Sequence, residues 1–243
     1  MRYGLLGAIA FATILPLSKH AIPHENGRHA APPPLIDWSI GRTSTYDYEP
    51  PAVGSYALPP IRPAADGQVL DETGIERSLR ALLDGKITVM AFIYTRCGDI
   101  CPEATLLLNE LHGVASEDPE LAEALRLITI SFDPEHDTPE VMALHAAALG
   151  AGEGAEWRFL TSAGEGALRP ILERYDQPIG LKSDPDDPLG PLIHQLRVFL
   201  IDSKGEVRNI YSVGFLDPRL VMSDVRTLLA EESVAPGVMS RAP

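Results

Sequence analysis

Residues 87–102 read Ile87-Thr88-Val89-Met90-Ala91-Phe92-Ile93-Tyr94-Thr95-Arg96-Cys97-Gly98-Asp99-Ile100-Cys101-Pro102. The first eight are uncharged and rich in β-branched and aromatic side chains, a continuous apolar run of the kind that makes a strand buried on both faces. The rest holds Cys97 and Cys101, the only two cysteines of the 243-residue chain. Pro102 then opens a stretch, 102–113, whose apolar residues Leu106, Leu107 and Leu111, with Val114 beyond, recur at helical spacing. Two cysteines four apart, between a buried strand and a helix, make a site.

The flanking segments extend the pattern. A second apolar strand is expected at 127–132, after a short helix at 119–125. The segment Asp133-Pro134-Glu135-His136-Asp137-Thr138-Pro139 reads as a turn that feeds a helix over 139–149. Thr138 suits the N-cap there, Pro139 the first helical position and Gly150 the stop. A strand at 157–160, a helix at 167–175 and an acidic, proline-containing loop at 184–190 follow. Strands 196–201 and 206–211 form a hairpin around Asp202-Ser203-Lys204-Gly205, and an amphipathic helix spans 218–231. Ahead of the first strand, 55–61 and 68–71 read as a hairpin around Ala65-Asp66-Gly67, and 75–83 as a helix stopped by Gly85. Strands alternating with helices and ending antiparallel imply an α/β fold. With a cysteine at the C-terminal end of a central strand, this reads as a thioredoxin-like mixed sheet flanked by helices, with an N-terminal hairpin extension.

Both ends of the chain differ in character. Arg2 precedes an uncharged, mostly apolar run of 14 residues, 4–17. That is short for a membrane span, which takes about 20 apolar residues, and fits a signal h-region. The expected organisation is a signal peptide or N-terminal anchor at 1–21, a Pro-rich linker at 22–54, the thioredoxin-like domain at 55–233 and a flexible tail at 234–243. The domain is then exported, periplasmic or membrane-anchored facing the periplasm, where a thiol pair is oxidised unless it is actively reduced or held by a metal. The net charge of -14 argues against nucleic acid, whose phosphates need clustered Lys and Arg.

Three uses of the cysteine pair compete. A structural disulfide across three residues would close a tiny loop and remove little chain entropy. A dithiol–disulfide oxidoreductase usually carries two intervening residues. A metal site gains from the helix N-terminus, whose partial positive charge favours thiolates, and from a spacing of four, which puts both side chains on one face. Two soft thiolates suit Cu(I), and an added imidazole makes a set able to hold Cu(II). Structural zinc is disfavoured because two cysteines cannot fill four positions. Of the seven histidines, His20, His24 and His29 lie in the linker, His112 lies at the far end of the cysteine helix, and His136 and His145 read as surface residues. His194 stands between the acidic loop and the strand 196–201. Spacing alone makes it an ordinary residue as readily as a ligand.

Residues Phe92–Pro102 resemble the signature of the Sco/SenC family of copper-binding thioredoxin-like proteins. Two further blocks agree: Ile130–Glu140, similar to the family's S-x-D-P-x-x-D-T-P segment, and His194–Asp202 with Gly205 and Tyr211. The resemblance implies a copper ion bound by Cys97, Cys101 and His194, and a metallochaperone serving the dinuclear copper site of cytochrome c oxidase. A copper-recipient protein, such as an oxidase copper subunit, would be the partner. The alternative it allows is a thiol–disulfide oxidoreductase that uses Cys97 and Cys101 to reduce the cysteines of a copper-enzyme target. Two residues depart from the family's habit: Gly98 stands where Pro is common, and Ile193 precedes His194 where Asp is frequent. Asp133 and Asp137 read as turn and cap residues rather than ligands.

Overall fold

The computed structural model describes residues 48–234. The leader at 1–21, the linker up to residue 47 and the tail from 235 lie outside the described residues. In chain order the elements are β1 (Arg62–Pro63), β2 (Gln68–Leu70), β3 (Glu76–Ser78), α1 (Leu79–Leu83), β4 (Ile87–Ile93), α2 (Cys101–Ser116), α3 (Pro119–Ala124) and β5 (Leu125–Ser131). They continue with α4 (Pro139–Ala148), β6 (Glu156–Leu160), α5 (Glu165–Arg174), β7 (Ile179–Leu181), β8 (Leu192–His194), β9 (Arg197–Ile201), β10 (Glu206–Ser212) and α6 (Pro218–Val234), with a 3₁₀ turn, Val213–Phe215, before the last helix.

The main sheet has six strands in the order β1-β10-β9-β4-β5-β6. Strands β4, β5 and β6 run parallel, with Ile87 opposite Leu125 and Leu127 opposite Trp157. On its other side β4 pairs antiparallel with β9, which forms the terminal hairpin with β10. Every residue of β4 is buried. Helix α2 packs on β4 and β5, α6 packs on β4 and touches α2, and α4 lies on β6. This is the mixed sheet flanked by helices that the alternation of strand and helix implied. Among the described residues no helix is long and apolar enough to cross a membrane.

The start of the domain is wired differently from the sequence reading. The hairpin is β2–β3, not 55–61 with 68–71: Gln68 faces Ser78 and Leu70 faces Glu76. Its turn is built by the buried Asp71, whose carboxylate accepts from Thr73 N–H and Ile75 N–H at 3.0 Å each, while Gly74 takes φ 78°. The expected helix 75–83 therefore begins only at Leu79, because residues 76–78 are spent on β3. Ser78 is its N-cap, accepting from Ala81 N–H at 3.2 Å. Asp66 is not at a hairpin tip; its carboxylate accepts from Ser78 Oγ at 2.9 Å and Arg80 N–H at 3.0 Å, which ties the chain before β2 to the start of α1. Residues 192–194 and 179–181, given no strand in the sequence reading, form the separate two-stranded sheet β7–β8. The helix 139–149 has the expected punctuation: Thr138 Oγ1 accepts from Val141 N–H at 3.4 Å and Gly150 takes φ 68°.

Residues 48–54, assigned above to the linker, are fastened to α6. Gly54 N–H donates to Thr227 Oγ1 at 3.0 Å, Ser223 Oγ donates to the Pro51 carbonyl at 2.7 Å, and Arg219 donates to the Tyr48 carbonyl at 3.2 Å. Bonds of this kind are worth about 1 kcal/mol each. A chain beginning at Tyr48 is therefore expected to exceed one beginning at Ser55 by roughly 1–3 kcal/mol in urea unfolding, with a matching rise in Tm. Equal midpoints would show that the segment contributes nothing.

Candidate metal centre

The parallel sheet ends the site's platform. Strand β4 stops at Ile93, and Tyr94–Ile100 form the loop that carries Cys97 into α2. Cys97 N–H donates to the Tyr94 carbonyl at 3.1 Å, which makes a tight turn directly after the strand. Cys101 is the first residue of α2, and its N–H donates to Cys97 Sγ at 3.4 Å. The N-cap residue, Ile100, has no side-chain acceptor to offer, so the cysteine sulfur takes that part. Pro102 sits where a helix has no use for its missing N–H.

The turn after β5 holds this loop in place. Asp137 is fully buried, and its carboxylate accepts from Thr95 N–H at 2.9 Å, from Thr95 Oγ1 and from Ser131 Oγ at 2.5 Å. Asp133 pairs with Arg96 at 2.6 Å on the surface side. The sequence reading gave these two aspartates turn and capping work; their partners are the residues just ahead of Cys97. Two aspartates four apart in one turn are consistent with a clamp, but nothing in their spacing names the loop they reach.

The third donor comes from the other side. His194 ends β8, opposite Ile179, and its Nε2 lies 3.2 Å from Cys101 Sγ and 3.7 Å from Cys97 Sγ. The three donor atoms all lie within 4.8 Å of one another. The ring packs on Phe132 at 4.7 Å between centroids and edge-on against Tyr94 at 5.8 Å. Its Nδ1 is buried without a protein partner. The remaining histidines of the domain are elsewhere. His112 is buried in α2 with Nε2 3.1 Å from the Ala155 carbonyl, and His136 is exposed. His145, expected at the surface, is half-buried against Phe159, because α4 lies on β6.

The two sulfurs differ electrostatically. Cys97 is lowered to about 4, first by the hydrogen bond from the Cys101 thiol and then by His194 and backbone N–H groups, against the cost of burial. Cys101 is pushed far up by burial and by the charge on Cys97. The pair thus shares one proton at neutral pH, with the charge on the outer sulfur. Tyr94 is raised to about 12 by burial and by the same charge, so its hydroxyl keeps its proton.

The donor set can be tested against a metal ion. Bonds of about 2.3 Å to sulfur and about 2.0 Å to nitrogen, meeting at about 110–120°, place S and N roughly 3.5–3.8 Å apart. The Cys97 contact already has that length, and the Cys101 contact needs to open by a few tenths of an ångström. Two thiolates and one imidazole form a soft set suited to copper or zinc rather than to Mg²⁺ or Ca²⁺.

Known proteins resemble this chain in sequence and in fold. The SCO1/SenC family model matches residues 66–230. The SCO1 protein homolog of Bacillus subtilis is 28% identical over 131 residues, 54% of this chain; the chain covers 64% of that relative's length. Among solved structures, a SCO1/SenC family lipoprotein from Bacillus anthracis superposes with TM-score 0.61 at 21% identity, covering 72% of this chain and 99% of its own. Arabidopsis thaliana ScoI with copper bound superposes with TM-score 0.59 at 18% identity, covering 69% and 98%. At these identities the superpositions show a shared fold.

Two outcomes follow from the geometry. Iodoacetamide should alkylate Cys97 far faster than Cys101 in the reduced protein. The Cys97 rate should hold nearly constant from pH 8 to pH 6 and fall only as pH approaches 4, whereas an ordinary thiol loses reactivity below about pH 8.5. Peptide mapping after timed quenching reads both rates. Asp137→Ala leaves the Thr95 and Ser131 donors unsatisfied in the interior and should cost about 3 kcal/mol or more, measured as a lower urea midpoint at unchanged m-value.

Proposed function

Because the chain belongs to the SCO1/SenC family, we propose that it binds copper, as Cu(I) or Cu(II), through Cys97, Cys101 and His194 and hands it to a recipient protein. The observation that carries this reading is the convergence of the two sulfurs and His194 Nε2 within 4.8 Å, from loops separated by more than ninety residues of sequence. The recipient is the dinuclear copper site of a cytochrome c oxidase, and the work is done outside the cytoplasm. The apolar run at 4–17 supports export or anchoring, and a thiol pair there keeps its reduced form by holding a metal. The copper-bound state of Arabidopsis ScoI supports the choice of ion.

The chain's own residues give such a carrier its properties. Cys97 already bears a thiolate, so the first bond to copper displaces no proton from it. Cys101 must release its proton as the ion arrives, which makes uptake weaken as pH falls. Thiolates alone suffice for Cu(I), while Cu(II) gains from the imidazole nitrogen. Cys97 and Cys101 are nearly covered and His194 is half-buried, so bulk water has limited access while a docked partner can still meet the ion from the loop side.

The asymmetry of the two sulfurs supports a second reading, a thiol–disulfide reductase acting on the recipient's cysteines. The Cys97 thiolate attacks the target disulfide, forming a mixed disulfide and releasing one target thiol. Cys101, losing its proton, then attacks Cys97 Sγ and releases the second. Two electrons pass to the target; of the two protons its sulfurs take up, one comes from Cys101 and one from water, and the pair ends as an internal disulfide.

Anaerobic titration of the reduced protein with one equivalent of copper separates the readings. The parent should bind one ion. Cys97→Ala or Cys101→Ala should abolish tight binding. His194→Ala should keep Cu(I) while weakening Cu(II) by roughly a hundredfold, with loss of the charge-transfer absorption, and leave disulfide reduction nearly intact. A His194→Ala variant that binds Cu(II) like the parent removes the ligand assignment and puts the reductase first.

A further inference from the structure

Strand β8 belongs to a two-stranded sheet of its own, so no ladder of the six-stranded sheet holds His194 toward the cysteines. Something else must set the gap across which an ion is bound. The segment before His194 runs Leu189-Gly190-Pro191-Leu192-Ile193 and passes against the end of β4. Tyr94 is the residue it meets there. The Tyr94 hydroxyl lies 3.4 Å from the Leu189 carbonyl and 3.3 Å from the Leu192 carbonyl, with Gly190 between them. Gly190 has φ 94°, and a Cβ built on it would stand 2.3 Å from the tyrosine oxygen and 2.9 Å from the Arg96 carbonyl. Backbone and hydroxyl are thus in contact with no side chain between them.

The same tyrosine touches the other half of the site. Its carbonyl accepts from Cys97 N–H at 3.1 Å, and its ring stands edge-on to the His194 imidazole. A parallel backbone link, Gly98 N–H donating to the Leu189 carbonyl at 3.3 Å, joins the loops one residue past Cys97, and a Cβ on Gly98 would already meet the Pro188 carbonyl at 3.3 Å. A side chain at Gly190 would drive the segment off the tyrosine, while one at Gly98 would need its neighbour to give by a few tenths of an ångström. A phenylalanine at position 94 would fill the same space against Phe132, yet it would leave the two carbonyls without this donor.

We propose that Tyr94 is a positioning residue for the third ligand: its hydroxyl fastens the 189–192 segment to the strand that delivers Cys97 and thereby sets the reach of His194 to the thiolate pair. The inference rests on the copper reading above, and goes beyond it by naming the group that controls how strongly the imidazole takes part.

The test is Tyr94→Phe in the full chain, in both the parent and His194→Ala backgrounds, titrated with Cu(II) in air-free buffer and with Cu(I) against a competing chelator. Tyr94→Phe is expected to weaken Cu(II) roughly five- to tenfold, the loss expected for about one buried hydrogen bond, and to change the nitrogen hyperfine splitting in the Cu(II) spectrum. Cu(I) affinity should fall less than Cu(II) affinity, because the hydroxyl's contact with the Cys97 thiolate is common to both ions while its hold on the 189–192 segment acts through His194. In the His194→Ala background the effect of Tyr94→Phe on Cu(II) should shrink to the size of its effect on Cu(I). Unchanged Cu(II) binding in Tyr94→Phe would overturn the proposal. So would an equal fall in Cu(I) and Cu(II), a Cu(II) loss undiminished without His194, or a variant that fails to fold, each of which assigns the hydroxyl to the thiolate or the core rather than to the third ligand. If His194→Ala itself leaves Cu(II) binding intact, the ligand assignment fails first.

Discussion

Strand β4 has no face to water. All seven of its residues are buried, and both of its edges are paired, with β5 parallel on one side and β9 antiparallel on the other. Backbone groups in that position must be satisfied within the sheet, and side chains on both faces must be covered. Helices α2 and α6 do part of this, and α2 reaches its place directly from the strand's end through the cysteine loop. Burying a large apolar side chain contributes on the order of 2 kcal/mol, so the strand holds far more energy than any loop contact near the site. Adjustment to a ligand falls on the loops, while the point where β4 delivers Tyr94 stays fixed.

Around that fixed point the chain spends polar groups sparingly. Asp137 is a buried carboxylate aimed at the main chain and hydroxyl of Thr95, so the β5 turn fixes the cysteine loop from below. Arg96 and Asp133 close the outer side with an exposed pair, an arrangement worth little energy but able to order the loop. The cysteine pair then carries one negative charge at the centre of the site. A single negative charge on Cys97 is stabilised by its neighbour's proton and by the start of α2, and it keeps the nearby Tyr94 hydroxyl protonated.

Much of this was written plainly in the chain. The apolar runs of β4 and β5 are continuous because both strands are buried twice over, and a continuous run is hard to misread. Thr138 with Pro139 marked α4, and the Asp202–Gly205 turn marked the last hairpin, because capping and turn chemistry are local. The N-terminal hairpin was displaced for the opposite reason. Strands β2 and β3 have three residues each, Ile75 is exposed, and the apolar spacing from Ile75 to Leu83 mimics a helix that begins only at Leu79. Strands β7 and β8 escaped because they are equally short and are separated by a charged loop. The cysteines announced themselves by spacing. His194 did not: spacing leaves it as ordinary as His145, the likeness of 194–202 to the family block alone singles it out in the sequence, and in the structure it meets Tyr94, Phe132 and the sulfurs while His145 packs on Phe159.

The separation of β7–β8 from the main sheet has a kinetic meaning. Proteins open in units whose free energies range from near zero up to that of global unfolding, and a short hairpin outside the main ladder belongs to the low end. The thiolates sit on the rigid unit and the imidazole on the soft one. In the copper carrier proposed above, the residence time of a three-coordinate ion would be governed by sub-global opening of a few residues, and the lifetime of the fold by the sheet. A recipient would compete for an ion held by two sulfurs each time the hairpin lifts, with the fold of the donor intact throughout.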